Sequence, residues 1–330
     1  VFNVDSSSTA AFGQLEYTIG SVTLLAAARY TKDERDLEIQ QTSSIAGALF
    51  NFYSAALAAR GAAGANISPN RRFSEVTPKI GVNWEINDDL FAYASYTEGF
   101  RSGGWSGRAV RSDQYVNFNP ENVESWEVGV KATLADGRAR WNSSVFRMDY
   151  TDLFNTLVVN NIWAVQTADA QIQGLESELT VRANANLDLF ANVGILDTKY
   201  VGTKPVNLAS DLQRAPKFQG KVGASFNYPL SGGTLLINGD VFFTDNYIVS
   251  PANLAFTAPA LPKGVSEVQG FELVNASVGY RWGDDRYEVA ASCTNCMDKE
   301  YFEAGTYTAT FAAVYPGAPR LYRLTVSAKL

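Results

Sequence analysis

Two groups of residues in this sequence carry side chains able to do chemistry. Cys293 and Cys296 form a C-x-x-C pair, a spacing shared by redox dithiols and by half of a zinc site. Arg101, Trp105, Arg108 and Arg111 stand close together with one acid, Asp113, among Gly99, Gly103, Gly104 and Gly107. Thioredoxin-like chemistry needs the cysteines at a helix N-terminus, and zinc needs two more ligands. A chain with no histidine and only 2 cysteines cannot complete a site of that kind. Two readings of the pair stay open: Cys293 is a small residue on an exposed apolar strand face beside a loop cysteine, or the two close a loop disulfide in an oxidising compartment. Neither is catalytic. The arginine group suits anions, because a guanidinium grips a carboxylate with two parallel hydrogen bonds and an indole offers a flat apolar face. The competing reading is that these arginines meet surface phosphates or solvate a loop.

Other chemistries are excluded by what the chain lacks. Without histidine there is no His-based triad, no His-ligated metal and no axial histidine for haem, and no metal site or cofactor is expected. The acid pairs Asp88-Asp89 and Asp284-Asp285 fall in short turns, where aspartate is favoured by turn geometry. No Gly-rich phosphate loop opens a helix, and there is no nucleophile elbow. A net charge of -7 argues against nucleic acid as a partner. The chain is not expected to be an enzyme.

The elements that must carry these groups are strands. From Val76, the residues Val76, Pro78, Ile80, Val82, Trp84 and Ile86 alternate with Thr77, Lys79, Gly81, Asn83 and Glu85. From Trp126, Val128, Val130, Ala132 and Leu134 alternate with Glu127, Gly129, Lys131 and Thr133, and Val274 to Trp282 repeats the pattern. The alternation predicts about thirteen strands, at 9–19, 22–33, 73–86, 89–100, 122–134, 138–154, 165–183, 187–200, 214–228, 233–247, 270–282, 286–295 and 318–330. Most are long enough to cross a bilayer at a tilt, which takes about 9–11 residues, whereas no apolar run nears the ~20 of a membrane helix.

Short turns (Gly20-Ser21, Asn87 to Asp89, Ala135 to Gly137, Asn184 to Asn186, Leu230 to Gly233, Gly283 to Asp285) alternate with long connections at 34–72, 101–121, about 155–164, 201–213, 248–269 and 296–317. Tyr17, Trp84, Trp141, Tyr228, Trp282 and Tyr287 lie near the short turns, and Tyr30, Tyr96, Tyr150, Tyr200 and Tyr247 lie near the long ones. Short turns on one rim, long loops on the other and a belt of aromatics at each describe an all-β, antiparallel transmembrane β-barrel. Loop 34–72, with its Ala-rich middle, has the length of a gate over a pore. Single-chain bacterial barrels have even strand numbers with both ends in the periplasm. The first strand here would run inward from outside, so an odd number is expected before Val1, and residues 1–330 read as the C-terminal part of a larger barrel.

The stretches "YASYTEGFRSGGW" (93–105), "NPENVESWEVGVKATL" (119–134), "FRMDYTDL" (146–153), "IQGLESELTVRA" (172–183), "TNCMDKEYF" (294–302) and "PGAPRLYRLTVSAKL" (316–330) resemble TonB-dependent outer-membrane receptors, the ferric-siderophore branch most. The resemblance runs from about Ala11 to Leu330 in the family's order. It implies a barrel of about 22 strands, an N-terminal plug domain and a TonB box, of which neither plug nor box is visible in 1–330. It also implies a Gram-negative outer membrane, lipopolysaccharide around the barrel, a TonB energy-transducing protein as partner, and energised uptake of a ferric siderophore; the chemistry of the loop residues Arg101, Trp105, Arg108 and Arg111 suits an anionic one. The barrel-assembly machinery is a further implied partner, through the outward Tyr322, Leu324, Val326 and Leu330 of the last strand. Two departures stand out: Leu330 occupies a place that is usually aromatic, and Cys296 replaces an apolar residue. A passive porin-type channel and a structural barrel subunit in a surface assembly remain as other uses of the same strand grammar.

Overall fold

A computed structural model describes residues 2–39, 70–106, 117–159, 162–252, 265–307 and 312–329. The strands, in chain order, are β1 (Phe2–Ile19), β2 (Val22–Ile39), β3 (Asn70–Asn87), β4 (Leu90–Arg101), β5 (Gly104–Trp105), β6 (Asn117–Phe118), β7 (Glu121–Leu134), β8 (Ala139–Val159), β9 (Ile162–Asn184) and β10 (Leu187–Tyr200). They continue as β11 (Phe218–Leu230), β12 (Gly233–Thr244), β13 (Tyr247–Ile248), β14 (Glu267–Val268), β15 (Phe271–Trp282), β16 (Tyr287–Thr294), β17 (Phe302–Tyr307), β18 (Ala312–Pro316) and β19 (Leu321–Ala328). One 13-stranded sheet has the order β1-β2-β3-β4-β7-β8-β9-β10-β11-β12-β15-β16-β19, so each long strand pairs with the next along the chain. The remaining strands form three ribbons, β5-β6, β13-β14 and β17-β18, all within long connections.

Register explains why the sheet has two unlike faces. Val128 lies between Ala94 and Val145, and Trp126 beside Tyr96, so apolar residues of neighbouring strands fall in the same row, until Arg147 opposite Trp126 marks its edge near the long-loop rim. On that face Ile80 and Val128 are more than half exposed, at 52% and 56%. An apolar side chain left bare on a whole row is what lipid, and not water, accommodates. The opposite face carries Lys79, Glu127, Lys131, Asn142, Glu176 and Lys221 in the same registers. Polar inside and apolar outside is the barrel-wall pattern. Aromatics edge the apolar face as expected: Trp282 packs against Tyr280 and Tyr287 at the short-turn rim, and Tyr96 packs on Trp126 near the other rim with ring centroids 4.5 Å apart.

Differences from the expected boundaries lie at the long-loop rim. The ladders of β1 with β2 and of β2 with β3 continue well above the apolar band, to Phe2↔Ile39 and to Asp36↔Asn70. The connection expected at about 155–164 is instead a continuation of the β8-β9 hairpin, paired as far as Val159↔Ile162. A bulge between Tyr150 and Leu153 carries the strand past its polar stretch. Asp152 takes a left-handed φ of 57° there, and its amide donates to Asp169 Oδ1 at 3.0 Å. At the other end, β19 is shorter than the 318–330 expected, and Leu330 lies outside the described residues.

Candidate functional site

The described parts of the long connections lie at one rim and pack there as two bodies. The first is built on the tops of β2, β3 and β4. Ser102 to Ser106 fold against the polar face, and all five are buried. Gly104-Trp105 pairs with Asn117-Phe118 as the ribbon β5-β6. Arg35 Nη2 donates to Ser102 Oγ at 2.6 Å, and Arg71 Nη1 donates to the carbonyls of Gly104 (3.2 Å) and Phe118 (2.6 Å). The glycines are here for close approach. Gly103 and Gly104 do not take positive φ; a Cβ on Gly103 would overlap the Phe118 carbonyl and crowd the Phe73 ring, and one on Gly104 would touch the Phe118 ring.

Of the four residues expected to bind ligand, Arg101 and Trp105 belong to this body, while Arg108 and Arg111 lie outside the described residues. Arg101 is not a bare cation. Its Nη2 is 3.0 Å from Glu121 Oε2, and its guanidinium sits 4.7 Å from the centre of the Phe154 ring. Trp105 is only 7% exposed, so its indole is part of the packing rather than a displayed face. Arg35 and Arg71 were not among the expected ligand residues. Their signal was the continuation of the β2 and β3 alternation beyond the apolar band, which places both on the polar face.

The second body is apolar. Leu157, Ala168, Leu208, Ala252 and Val265 form a buried cluster with Tyr200 packed on it, and Val249, Val268 and Phe271 form a second buried cluster at the head of β15. Leu208 is fully buried and bridges to Ala252. The Ala209 amide donates to the Pro251 carbonyl at 2.7 Å, and Val249 donates to the Ser266 carbonyl at 2.7 Å. The ribbon β17-β18 closes on this body, with Tyr247 donating to the Glu303 carbonyl at 3.4 Å.

Cys293 and Cys296 are joined as a disulfide, with their Cα atoms 5.5 Å apart. Cys293 faces the apolar side between Ala276 and Tyr322, so the two open readings describe one residue: an outward strand position that also closes a turn. Between them Asn295, 1% exposed, takes a φ of 52° and holds the turn. Its Nδ2 donates to the carbonyls of Lys299 (2.9 Å) and Ala318 (3.1 Å), and its Oδ1 accepts from the Lys299 amide at 2.8 Å. Sequence reasoning did not single out Asn295; an asparagine at a strand end, where left-handed φ is tolerated, was the available sign. Tyr322, Leu324 and Val326 stand on the apolar face of β19, and among the described residues no group of acids or cysteines could hold a metal ion.

Comparison with known proteins agrees with this geometry. Residues 1–296 match the family model described as TonB dependent receptor-like, beta-barrel. The ferric-pyoverdine M114 receptor PbuA of Pseudomonas sp. (strain M114) is 28% identical over 266 residues, covering 77% of this chain and 29% of the receptor. The metal-pseudopaline receptor CntO of Pseudomonas aeruginosa (strain PAO1) is 24% identical over 262 residues, covering 77% of this chain and 33% of its own length. Among solved structures, the ferric yersiniabactin uptake receptor FyuA from Yersinia pestis superposes with a TM-score of 0.76 at 11% identity, over 99% of this chain and 46% of FyuA. The chain thus spans about a third of the curated relatives and under half of the solved receptor. With its exposed apolar face, its polar inner face and its loops packed over one rim, the chain belongs to the TonB-dependent receptor-like β-barrel family.

Proposed function

We propose that this chain is the C-terminal portion of the barrel of an outer-membrane receptor that takes up an anionic ferric chelate with energy delivered through TonB. The observation that carries the reading is the family match over residues 1–296 of a sheet whose exposed face is apolar. Support for the cargo comes from the relatives, whose names state ferric pyoverdine and metal-pseudopaline. The anionic character is read from the loop arginines, Arg101, which Glu121 already pairs, and Arg108 and Arg111 beyond it in sequence, with Trp105 as an apolar wall once uncovered. In such a receptor nothing is covalently changed. Capture occurs at the long-loop rim, and the coupling to the energy-transducing protein belongs to the rest of the receptor, upstream of Val1.

The same reading assigns the surroundings. The apolar face meets outer-membrane lipid, with lipopolysaccharide at the level of the exposed charges above Tyr30 and Trp126. The outward Tyr322, Leu324 and Val326, with Leu330 after them, form the strand presented to the barrel-assembly machinery. The test is uptake of radiolabelled iron by cells expressing the full-length protein as sole receptor, supplied as a panel of anionic and neutral ferric chelates, with and without a functional TonB protein. Uptake of an anionic chelate that ceases without TonB is expected. Uptake unaffected by loss of TonB would instead mean a passive channel.

A further inference from the structure

Arg35 and Arg71 are directly opposite each other in the β2-β3 ladder. Both lie on the polar face, since each is an odd number of residues from the exposed pair Tyr30 and Val76. Like charges in directly opposed positions repel, and an ordinary strand pair places an acid across from a base. The next register position shows the ordinary arrangement. On the outer face Arg72 stands opposite Glu34, and its Nε is 3.3 Å from Glu34 Oε1. Arg101, at the same rim, has Glu121. Among the described residues Arg35 and Arg71, by contrast, donate only to neutral oxygens: the Ser102 hydroxyl and the Gly104 and Phe118 carbonyls.

Both guanidinium groups lie beside Gly104. Arg71 Nη1 is 3.2 Å from the Gly104 carbonyl oxygen, and a Cβ built on Gly104 would stand 3.4 Å from Arg35 Nη1. Arg71 is also stacked over Phe73, 4.8 Å from the ring centre, which fixes the plane of its fork. Asp33, two residues from Arg35 on the same face, keeps a buried Oδ1 that accepts no hydrogen bond. Two half-buried forks beside one loop segment are thus held by neutral oxygens.

We propose that Arg35 and Arg71 are a two-arginine clamp for a carboxylate or comparable oxyanion of the ligand, and that residues 102–106 are the strap that fills the clamp until the ligand displaces it. A charged oxygen forms stronger hydrogen bonds with guanidinium than a carbonyl or hydroxyl does, so the exchange runs toward the ligand. It relieves the repulsion between the opposed arginines in the same step. The displaced strap carries Trp105 out of its buried position. This inference rests on the reading of the protein as a receptor for an anionic chelate, and it adds residues, a ligand group and a moving part to that reading.

The test uses the full-length protein purified from the outer membrane in detergent, with Trp105 fluorescence taken as the difference between wild type and Trp105→Phe. The probes are iron-free citrate, ferric citrate and a neutral ferric trihydroxamate. Variants are Arg35→Gln, Arg71→Gln and Arg71→Lys, with the outer-face Arg72→Gln as the control. Folding is checked by the heat-dependent mobility of barrels on gels. Both citrate forms are expected to shift Trp105 emission in wild type and in Arg72→Gln. Binding should weaken roughly 10-fold or more in Arg35→Gln and Arg71→Gln, and clearly in Arg71→Lys, which keeps the charge but loses the fork. Citrate binding that is equal in wild type and the glutamine variants, or absent from wild type, overturns the clamp. A clamp that responds to citrate in a protein that transports no ferric chelate overturns the receptor reading and leaves the clamp standing. Transport of an anionic ferric chelate undiminished in Arg71→Gln does the reverse.

Discussion

The two bodies packed over the long-loop rim are closed by opposite kinds of force. The 102–106 strap is held by guanidinium groups on neutral oxygens and by glycines that let backbones touch. The body around Leu208 is held by a dry aliphatic cluster and by loop-to-loop backbone hydrogen bonds. Hydrogen bonds can be exchanged for better ones by a solute, whereas buried aliphatic contacts have no soluble competitor. The difference separates a part that a ligand can open from a part that braces the rim. It also predicts that the two bodies fail independently.

The sharpest way to break that comparison is Leu208→Ala. Leu208 is fully buried against Leu157, Ala252 and Val265, so truncation should cost the brace about 3 kcal/mol. Hydrogen exchange of the Leu208 and Ala209 amides, which donate to the Pro205 and Pro251 carbonyls, should accelerate strongly. Protection of the β5-β6 ribbon should not change. If the ribbon loses protection in parallel, the two bodies are one cooperative unit and the comparison fails. Gly103→Ala is the reciprocal test. The new methyl would have to displace the Phe118 carbonyl and the Phe73 ring, at a cost of about 2 kcal/mol. Trp105 emission should shift to the red while the Leu208 amides stay protected. Trp105 remaining buried in that variant would show that the strap accommodates a side chain and that the glycine is not what seats it.

Arg101→Gln should matter far less. The Arg101–Glu121 pair is a rim contact with a largely exposed arginine, worth about 0.5 kcal/mol or less in high dielectric. Glu121 also accepts the Phe154 amide at 2.8 Å and keeps that bond in the variant. The measurement is exchange at Arg101 and the first strap residues, with a change too small to move Trp105. A red shift as large as that in Gly103→Ala would mean that Arg101, and not Arg35 with Arg71, carries the strap.

How far the sequence reaches follows the same division. The wall was legible because one physical demand, apolar side chains toward lipid at every second position, acts on each strand by itself. Alternation therefore predicted the thirteen long strands of the sheet, and the outward rows at Trp126, Val128 and Tyr322 fall where it placed them. The rim was not legible in that way. Leu208 and Ala252 are unremarkable loop residues until the fold brings them together, and Trp105 reads as a displayed ring because burial by residues distant in sequence leaves no local periodicity. The glycines before Trp105 suggested backbone freedom, yet those the structure describes there serve close approach. Arg35 and Arg71 were hidden for a further reason: they are far apart in sequence, and only strand register makes them opposite.

The smallest effect distinguishes the bodies by their titration. Tyr301 packs on Phe271 with ring centroids 4.4 Å apart, at the foot of the β17-β18 ribbon in the braced body. Burial, and then the nearby Glu303 carboxylate, push its hydroxyl above the ordinary value of 10.0. The folded state thus favours the neutral phenol. A group whose folded pKa is raised contributes stability that is present in full below the unfolded pKa and is lost as pH rises through the folded one. The ultraviolet difference between wild type and Tyr301→Phe should therefore show a phenol that ionises only above pH about 10, and exchange in the ribbon should quicken over the same range. The 102–106 strap should hold through that titration, because the hydrogen bonds shown seating it run from guanidinium groups to a hydroxyl and carbonyls and none involves a phenol. If Tyr301 ionises at or below the ordinary value, its ring is solvated and the ribbon does not close on the brace; if the strap opens with it, the two bodies share an alkaline transition and cannot be separated by the force that holds each.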